Sequence, residues 1–135
     1  MDLELQGKRA LVTGGSRGIG KAVALALALE GADVAILARD PARLEAAAKE
    51  LRDASGRTVV AVVADTTDDA QVARAVADAV RALGGGIDIL INAAAEPGGY
   101  AAPPRLADIS AEFLQREIDV KVWATSASHA RSRRA

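Results

Sequence analysis

Four glycines follow a short apolar segment near the amino terminus, in the sequence T-G-G-S-R-G-I-G of residues 13–20. Glycine has no Cβ and adopts positive φ at little cost, so the backbone can pass very close to a bound group at such positions. An Ala- and Leu-rich helical pattern begins within the same segment, and the free N–H groups at a helix N-terminus bind anions. A strand, a glycine turn and a helix in this order favour a site for the pyrophosphate of a dinucleotide over an ordinary tight turn.

Two arginines indicate which dinucleotide this site would take. Arg17 lies within the glycine turn, and Arg39 follows the second apolar segment, where the adenosine ribose should lie. An acidic residue at the end of that segment would bind the 2′-hydroxyl of NAD, but Ala38 stands there. Because a guanidinium suits a 2′-phosphate, we expect NADP(H) in preference to NAD(H). The alternative is that both are ordinary surface arginines.

Strands and helices must position these residues, and the sequence alternates between the two patterns. Short apolar runs predict four strands, at residues 9–13, 33–38, 57–64 and 87–92. Helical spacing of apolar residues predicts four helices. The first two span residues 18–30 and 41–53. The third lies between a cap at Thr67 or Asp68 and Gly84, and the fourth begins at about residue 110. This alternation is typical of the α/β class with right-handed crossovers. We expect a Rossmann-like three-layer sandwich with strand order 3-2-1-4 and a crevice where that order reverses.

Composition narrows the class of protein. The chain has 135 residues, a net charge of −1 and no cysteine. One domain of this length buries a sizeable core, and nothing in the charge suggests nucleic acid or a membrane as a partner. Disulfides and thiolate metal sites are excluded, and neither a signal peptide nor a membrane-length apolar run is present. We therefore expect a cytoplasmic protein.

Two motifs, together with Asp65 in A-D-T after the third strand, resemble the short-chain dehydrogenase/reductase family over about residues 5–123. The family pattern T-G-x-x-x-G-x-G is matched by Thr13, Gly14, Gly18 and Gly20. Residues 88–95, D-I-L-I-N-A-A-A, are similar to the family's D-I-L-V-N-N-A-G. The resemblance implies hydride transfer between a nicotinamide and an alcohol or ketone.

The resemblance also implies which residues bind the cofactor. Asp65, in A-D-T after the third strand, would meet the adenine amino group, and Asn92 matches the first asparagine of the fourth-strand motif. Turn or cap roles are the alternatives for these two residues. The full expected set lies in the glycine turn and at the strand ends: Thr13, Gly14, Ser16, Arg17, Gly18, Ile19, Gly20, Arg39, Asp65 and Asn92.

The chain departs from the family pattern at its catalytic residues. The family supplies a proton from the tyrosine of Y-x-x-x-K, whereas here Tyr100 is the only tyrosine and is followed four residues later by Pro104. Asp119 stands where the family has a helical asparagine, and Ala93 and Ala95 replace an asparagine and a glycine after the fourth strand. We expect no metal site and no catalysis by this chain alone. The alternatives to an enzyme are a non-catalytic dinucleotide-binding fragment and an inactive truncation product.

The last residues differ in character from the rest. We expect residues 1–123 to form the NAD(P)-binding domain, as the amino-terminal part of an incomplete family fold, and residues 124–135 to be a disordered or non-native tail. Ser126, Ser128 and His129 lie there as sequence neighbours without an acid to orient the histidine, so we reject a nucleophilic site. Codons for residues 124–130 can be chosen so that restoring one base before them encodes an apolar segment similar to the one that the family has there. A frameshift after Trp123 is therefore one hypothesis for the tail. The sequence does not identify the substrate. It is compatible with an oligomer.

Overall fold

Four parallel strands alternate with three helices in the computed structural model, which describes residues 2–94, 111–112 and 115. In chain order they are β1 (Arg9–Thr13), α1 (Gly18–Leu29), β2 (Asp33–Ala38), α2 (Pro41–Ser55), β3 (Val59–Val63), α3 (Asp69–Leu83) and β4 (Ile89–Asn92). The strands form one sheet in the order β3-β2-β1-β4. The predicted α/β architecture and strand order are confirmed.

The core lies in two apolar layers, one on each face of the sheet. Alternate residues of β1 point to opposite faces, so Ala10 and Val12 pack with α1 and α2 while Leu11 packs with α3. Two helices on one face and one on the other complete the three layers. Within α1 the buried positions are small residues, Gly20, Ala24 and Ala28, while Leu29 is 60% exposed. These small buried side chains let α1 pack close to the sheet.

The ends of β3 and β4 differ from the prediction. β3 begins at Val59 rather than residue 57, because Arg57 turns its N–H to Ser55 Oγ (3.2 Å) and its guanidinium to Asp33 (2.9 Å). β4 begins at Ile89 because the side chain of Asp88 accepts the N–H of Arg9 at 2.9 Å. At the start of β3 polar side chains take the place of strand pairing. At the start of β4 the carboxylate of Asp88 adds to a backbone bond, in which the N–H of Asp88 donates to the carbonyl oxygen of Arg9 at 2.8 Å.

Two helices begin at aspartates that cap them. Asp40 accepts hydrogen bonds from the N–H groups of Ala42 (3.0 Å) and Arg43 (3.3 Å) at the start of α2. Asp68, rather than Thr67, caps α3. Both helices end at a glycine in the left-handed region, Gly56 and Gly84, where a side chain would be strained.

Several predicted features lie outside the described residues. These are the loop around Tyr100, the position of Asp119 and the tail at 124–135. The helix predicted from about residue 110 is described only at Ala111, Glu112 and Gln115, which are helical. Of the helices that the structure describes, none has the length and apolar character needed to cross a membrane.

Candidate functional site

The carboxyl ends of three strands meet at one edge of the sheet. Thr13 at the end of β1 is in register with Leu37 of β2 and with Asn92 of β4. The chain passes from β1 to β2 and β3 on one side and reaches β4 on the other, so the strand order reverses beside β1. In open α/β sheets, ligands bind in the crevice at such a point.

Side-chain contacts of Thr13 join the carboxyl ends of β1 and β4. The hydroxyl of Thr13, whose side chain is buried, lies 3.3 Å from Asn92 Oδ1 and 3.5 Å from the carbonyl oxygen of Ile91. A hydroxyl has one proton, so it donates to one of these acceptors at a time. Asn92 itself is exposed. The pair fixes the spacing of β1 and β4 where the glycine turn begins.

Gly14 and Gly20 allow the turn to pack tightly. Gly14 has φ +69°, and a Cβ there would lie 2.6 Å from the carbonyl oxygen of Ala93. Its N–H donates to the Leu37 carbonyl at 2.8 Å. A Cβ at Gly20 would lie 2.1 Å from the carbonyl oxygen of Gly14. Neither position accepts a side chain without a shift of backbone, so the first turn of α1 lies directly against the glycine turn.

The remaining residues of the turn leave the start of α1 open. Gly18 has φ +57°, and a Cβ there would meet nothing within 4 Å. Ser16 is half-buried, Arg17 is exposed and Ile19 is 80% exposed. Arg17 stands at the N-cap with extended backbone, and no side chain caps the helix. The first N–H groups of α1 therefore have no side-chain acceptor at the N-cap, in contrast to those of α2 and α3.

Arg39 and Asp65 lie beyond the next two strand ends. Burial raises the pKa of Asp65, but hydrogen bonds from the Thr67 hydroxyl and N–H and the charge of Arg39 outweigh it and lower that pKa overall. Asp65 is therefore a carboxylate at neutral pH. Arg17 and Arg39 are exposed, and neither forms an ion pair within the described part of the chain.

Two contributors to this site were missed by the sequence analysis. A Cβ at Gly15 would lie 2.6 Å from the Cβ of Ile36, so this glycine allows the turn to pass over β2. The sequence T-G-G, in which Gly15 follows Gly14, was the signal that could have identified this residue. Thr67 Oγ1 donates to Asp65 Oδ1 at 2.7 Å, a contact that the D-T-T spacing allowed but did not identify.

The structure brings most of the predicted residues to one edge of the sheet. Asp119 and Tyr100 lie outside the described residues, so the structure does not bear on them. Among residues 2–94, 111–112 and 115, no cluster of three or more His, Cys, Asp or Glu side chains could hold a metal ion. What the described geometry offers is a glycine turn before an uncapped helix, with Arg17 in the turn and Arg39 after β2, neither of them in an ion pair within the described residues.

Comparisons with known proteins agree with this geometry. The family model described as short chain dehydrogenase matches residues 8–129. The uncharacterized oxidoreductase YghA of Escherichia coli is 39% identical over 122 residues, covering 89% of this chain and 40% of that protein. Glucose 1-dehydrogenase of Gluconobacter oxydans is 38% identical over 116 residues, covering 86% and 42%.

Two solved structures superpose on nearly the whole chain. L-sorbose reductase from Gluconobacter frateurii, complexed with NADPH and L-sorbose, has a TM-score of 0.83 at 34% identity and is covered over 48% of its length. A short chain dehydrogenase from Burkholderia cenocepacia in complex with NADP has a TM-score of 0.82 at 40% identity, with 51% of its length covered. The chain thus spans about half the length of these structures. It belongs to the short-chain dehydrogenase/reductase family.

Proposed function

We propose that this chain is the cofactor-binding part of an NADP(H)-dependent oxidoreductase that transfers hydride between the nicotinamide and an alcohol or ketone. The observation that carries the proposal is the uncapped start of α1 behind the glycine turn, at the reversal of strand order. Three cofactor features need partners: a diphosphate, an adenosine with its ribose substituent, and a nicotinamide. The chain offers residues for each.

The diphosphate would lie over the glycine turn. Open space at Gly18 leaves room for the phosphates, and the N–H groups at the start of α1 would donate to them. The helix dipole adds a partial positive charge at the same place. Ser16 would donate its hydroxyl beside the turn, and Thr13 would fix the end of β1. The exposed Ile19 would pack against an apolar part of the cofactor.

The adenosine would lie over the ends of β2 and β3. Asp65 accepts hydrogen bonds only, so its carboxylate fits the amino group of adenine. Arg39 and Arg17 would share the 2′-phosphate, which favours NADP(H) over NAD(H). Two of the similar structures are described as complexes with NADPH or NADP, which supports the same preference without deciding it. Asn92 would border the nicotinamide end of the crevice.

Catalysis requires a proton donor in addition to the cofactor, which supplies or accepts the hydride when bound. The sequence of this chain contains no Y-x-x-x-K, because Pro104 follows Tyr100 at the fourth position. We therefore propose that the chain binds NADPH without turning over a substrate. Residues 1–123 would form the binding domain, and residues 124–135 would add nothing to affinity.

A fluorescence titration tests the cofactor preference. We expect NADPH to bind the chain more tightly than NADH. Arg39→Ala and Arg17→Ala should each weaken NADPH binding by about tenfold, the loss expected for a charge-assisted hydrogen bond, and should leave NADH binding nearly unchanged. Arg74→Ala removes the same charge from the exposed face of α3 and serves as the control. Equal effects of all three substitutions on both cofactors would contradict the assignment.

A turnover assay separates the competing functions. The chain is incubated with NADPH and ketones, or with NADP+ and alcohols, and absorbance at the nicotinamide band is followed. Binding without turnover supports the proposal. Turnover would show that the chain itself is an enzyme, whereas neither binding nor turnover would mark it as an inactive truncation product.

A further inference from the structure

We propose that the outer face of α1 is a self-association surface, on which a second copy of this chain packs antiparallel. The contact would run along an outer seam of four exposed apolar side chains, Ile19, Ala22, Ala26 and Leu29. The inference concerns contacts between two protein surfaces, so it does not depend on whether the chain binds a cofactor.

The outer seam lies on the side of α1 that faces away from the sheet. The buried residues of the helix recur every four positions and pack on the sheet: Gly20, Ala24 and Ala28. Because each residue turns the helix by about 100°, the seam residues lie about 180° from this buried row. Ile19 is 80% exposed and Leu29 is 60% exposed. The described part of the chain therefore leaves an apolar stripe of α1 uncovered.

Charged side chains lie on the outer faces of α2 and α3 but not on that of α1. Arg43 and Lys49 are exposed on α2, and Arg74 is exposed on α3. The one charged residue within α1 is Lys21, which is partly buried and pairs with Glu50 of α2. A surface helix ordinarily carries polar residues on its outer face, and a continuous exposed apolar patch marks an interaction site.

The order of side chains in the outer seam favours a second copy of α1 as the partner. The intervals along the seam are three, four and three residues, the spacing of core positions in paired helices. In an antiparallel pair with a two-fold axis level with Ala24, Ile19 lies opposite the partner's Leu29 and Ala22 lies opposite the partner's Ala26. The large side chains then meet at both ends, and the alanines let the helix axes approach to about 8 Å. Such a surface is complementary to itself, as an isologous dimer requires.

The charges at the two ends of α1 favour the same arrangement. Arg17 stands at the N-cap and Glu30 at the C-cap. Both are exposed, and neither forms an ion pair within residues 2–94, 111–112 and 115. Antiparallel packing places Arg17 nearly level with the partner's Glu30, and the two-fold axis repeats this pair. It also sets the positive end of each helix dipole beside the negative end of the other.

Sedimentation equilibrium of the full chain over about 10 μM to 1 mM tests the proposal. The seam is much smaller than the roughly 20–30 residues a side of a standard interface, so we expect a weak, reversible equilibrium between monomer and dimer. Ala26→Glu puts a charge and added bulk at the centre of the seam and should weaken dimerisation by more than about tenfold. Ala77→Glu is the matched control, because Ala77 is exposed on α3, which packs on the opposite face of the sheet. It should leave the equilibrium unchanged.

A charge exchange tests the antiparallel arrangement. Arg17→Glu and Glu30→Arg should each weaken dimerisation by about threefold, and the double variant should restore it, because two opposite charges then meet again. The measurements are made without cofactor, since Arg17 and Ile19 are also proposed to contact it. A chain that stays monomeric at the highest concentration, or equal effects of Ala26→Glu and Ala77→Glu, would overturn the surface. A double variant that does not recover would overturn the antiparallel arrangement.

Discussion

The glycines of the turn differ in what surrounds them. Gly14 and Gly20 are required by backbone contacts, since a Cβ at either position would lie within 2.6 Å of a carbonyl oxygen. Gly18 also has positive φ, but a Cβ there would enter open space. Packing therefore explains Gly14 and Gly20, as it does Gly15 against Ile36, and Gly18 lies where the diphosphate is proposed to bind. The two groups make different predictions.

Gly18→Ala should separate binding from stability. The substitution should cost about 1 kcal/mol of unfolding free energy because of the positive φ, and should abolish detectable NADPH binding by filling the phosphate space. Gly56→Ala is the matched control, since Gly56 has φ +68° and also has open space around it. It should lose similar stability and keep its affinity for NADPH. Urea unfolding and fluorescence titration measure the two quantities, and equal affinity losses would contradict the proposed site.

Single residues were predictable where spacing carries the information. Thr13, Gly14, Gly18 and Gly20 follow from a pattern that links a strand, a turn and a helix. The contact between Thr67 and Asp65 was not predictable, because a hydroxyl two residues from a carboxylate has several acceptors within reach until the loop is folded. The contact between Gly15 and Ile36 was not predictable either, because Ile36 lies on β2 and comes close to the turn only when β2 pairs with β1.

The three helices begin in different ways. Asp40 and Asp68 satisfy the first N–H groups of α2 and α3, whereas no side chain caps α1. Unsatisfied groups at a helix start are costly when buried and useful when a ligand meets them. The helices away from the proposed site thus carry their own caps, whereas α1 has none at the place where the diphosphate is proposed to bind.

The scaffold that holds the crevice depends on buried leucines. Leu44 of α2 is fully buried in the layer shared with α1 and the sheet. Leu44→Ala should lower the free energy of unfolding by about 2 to 5 kcal/mol, through lost burial and a residual cavity. Lys49→Ala, on the exposed side of the same helix, should change it little, since an exposed ion pair contributes little. Similar urea midpoints for the two variants would show that α2 is not packed as described.

Element order and type were predictable, but several ends were not. Apolar alternation and helical spacing identified all seven elements between residues 9 and 92, and β1 and β2 have the predicted bounds. The starts of β3 and β4 depend on Arg57 and Asp88, whose side chains form hydrogen bonds with distant parts of the chain. Such partners are brought close only by the assembled sheet.

At the scale of the whole molecule, positive charge near the site contrasts with a net charge of −1. The proposed partners of the 2′-phosphate are the guanidinium groups of Arg17 and Arg39, and the lowered pKa of Asp65 keeps that carboxylate ionised at neutral pH. A phosphate monoester loses its second charge below about pH 6. Binding of NADP+ should therefore weaken as the pH falls from about 7.5 to 5, while binding of NAD+ stays nearly constant. Parallel profiles for the two would contradict the roles of the arginines.

The most direct test of the account asks whether the glycine turn receives the diphosphate. Amide proton and nitrogen shifts of the ¹⁵N-labelled chain are followed by NMR as NADP+ is added. The account predicts that the largest shifts belong to the amides of residues 14–20, with smaller ones at Arg39 and Asp65. Saturable binding that leaves those amides unchanged, or no binding at all, would contradict it.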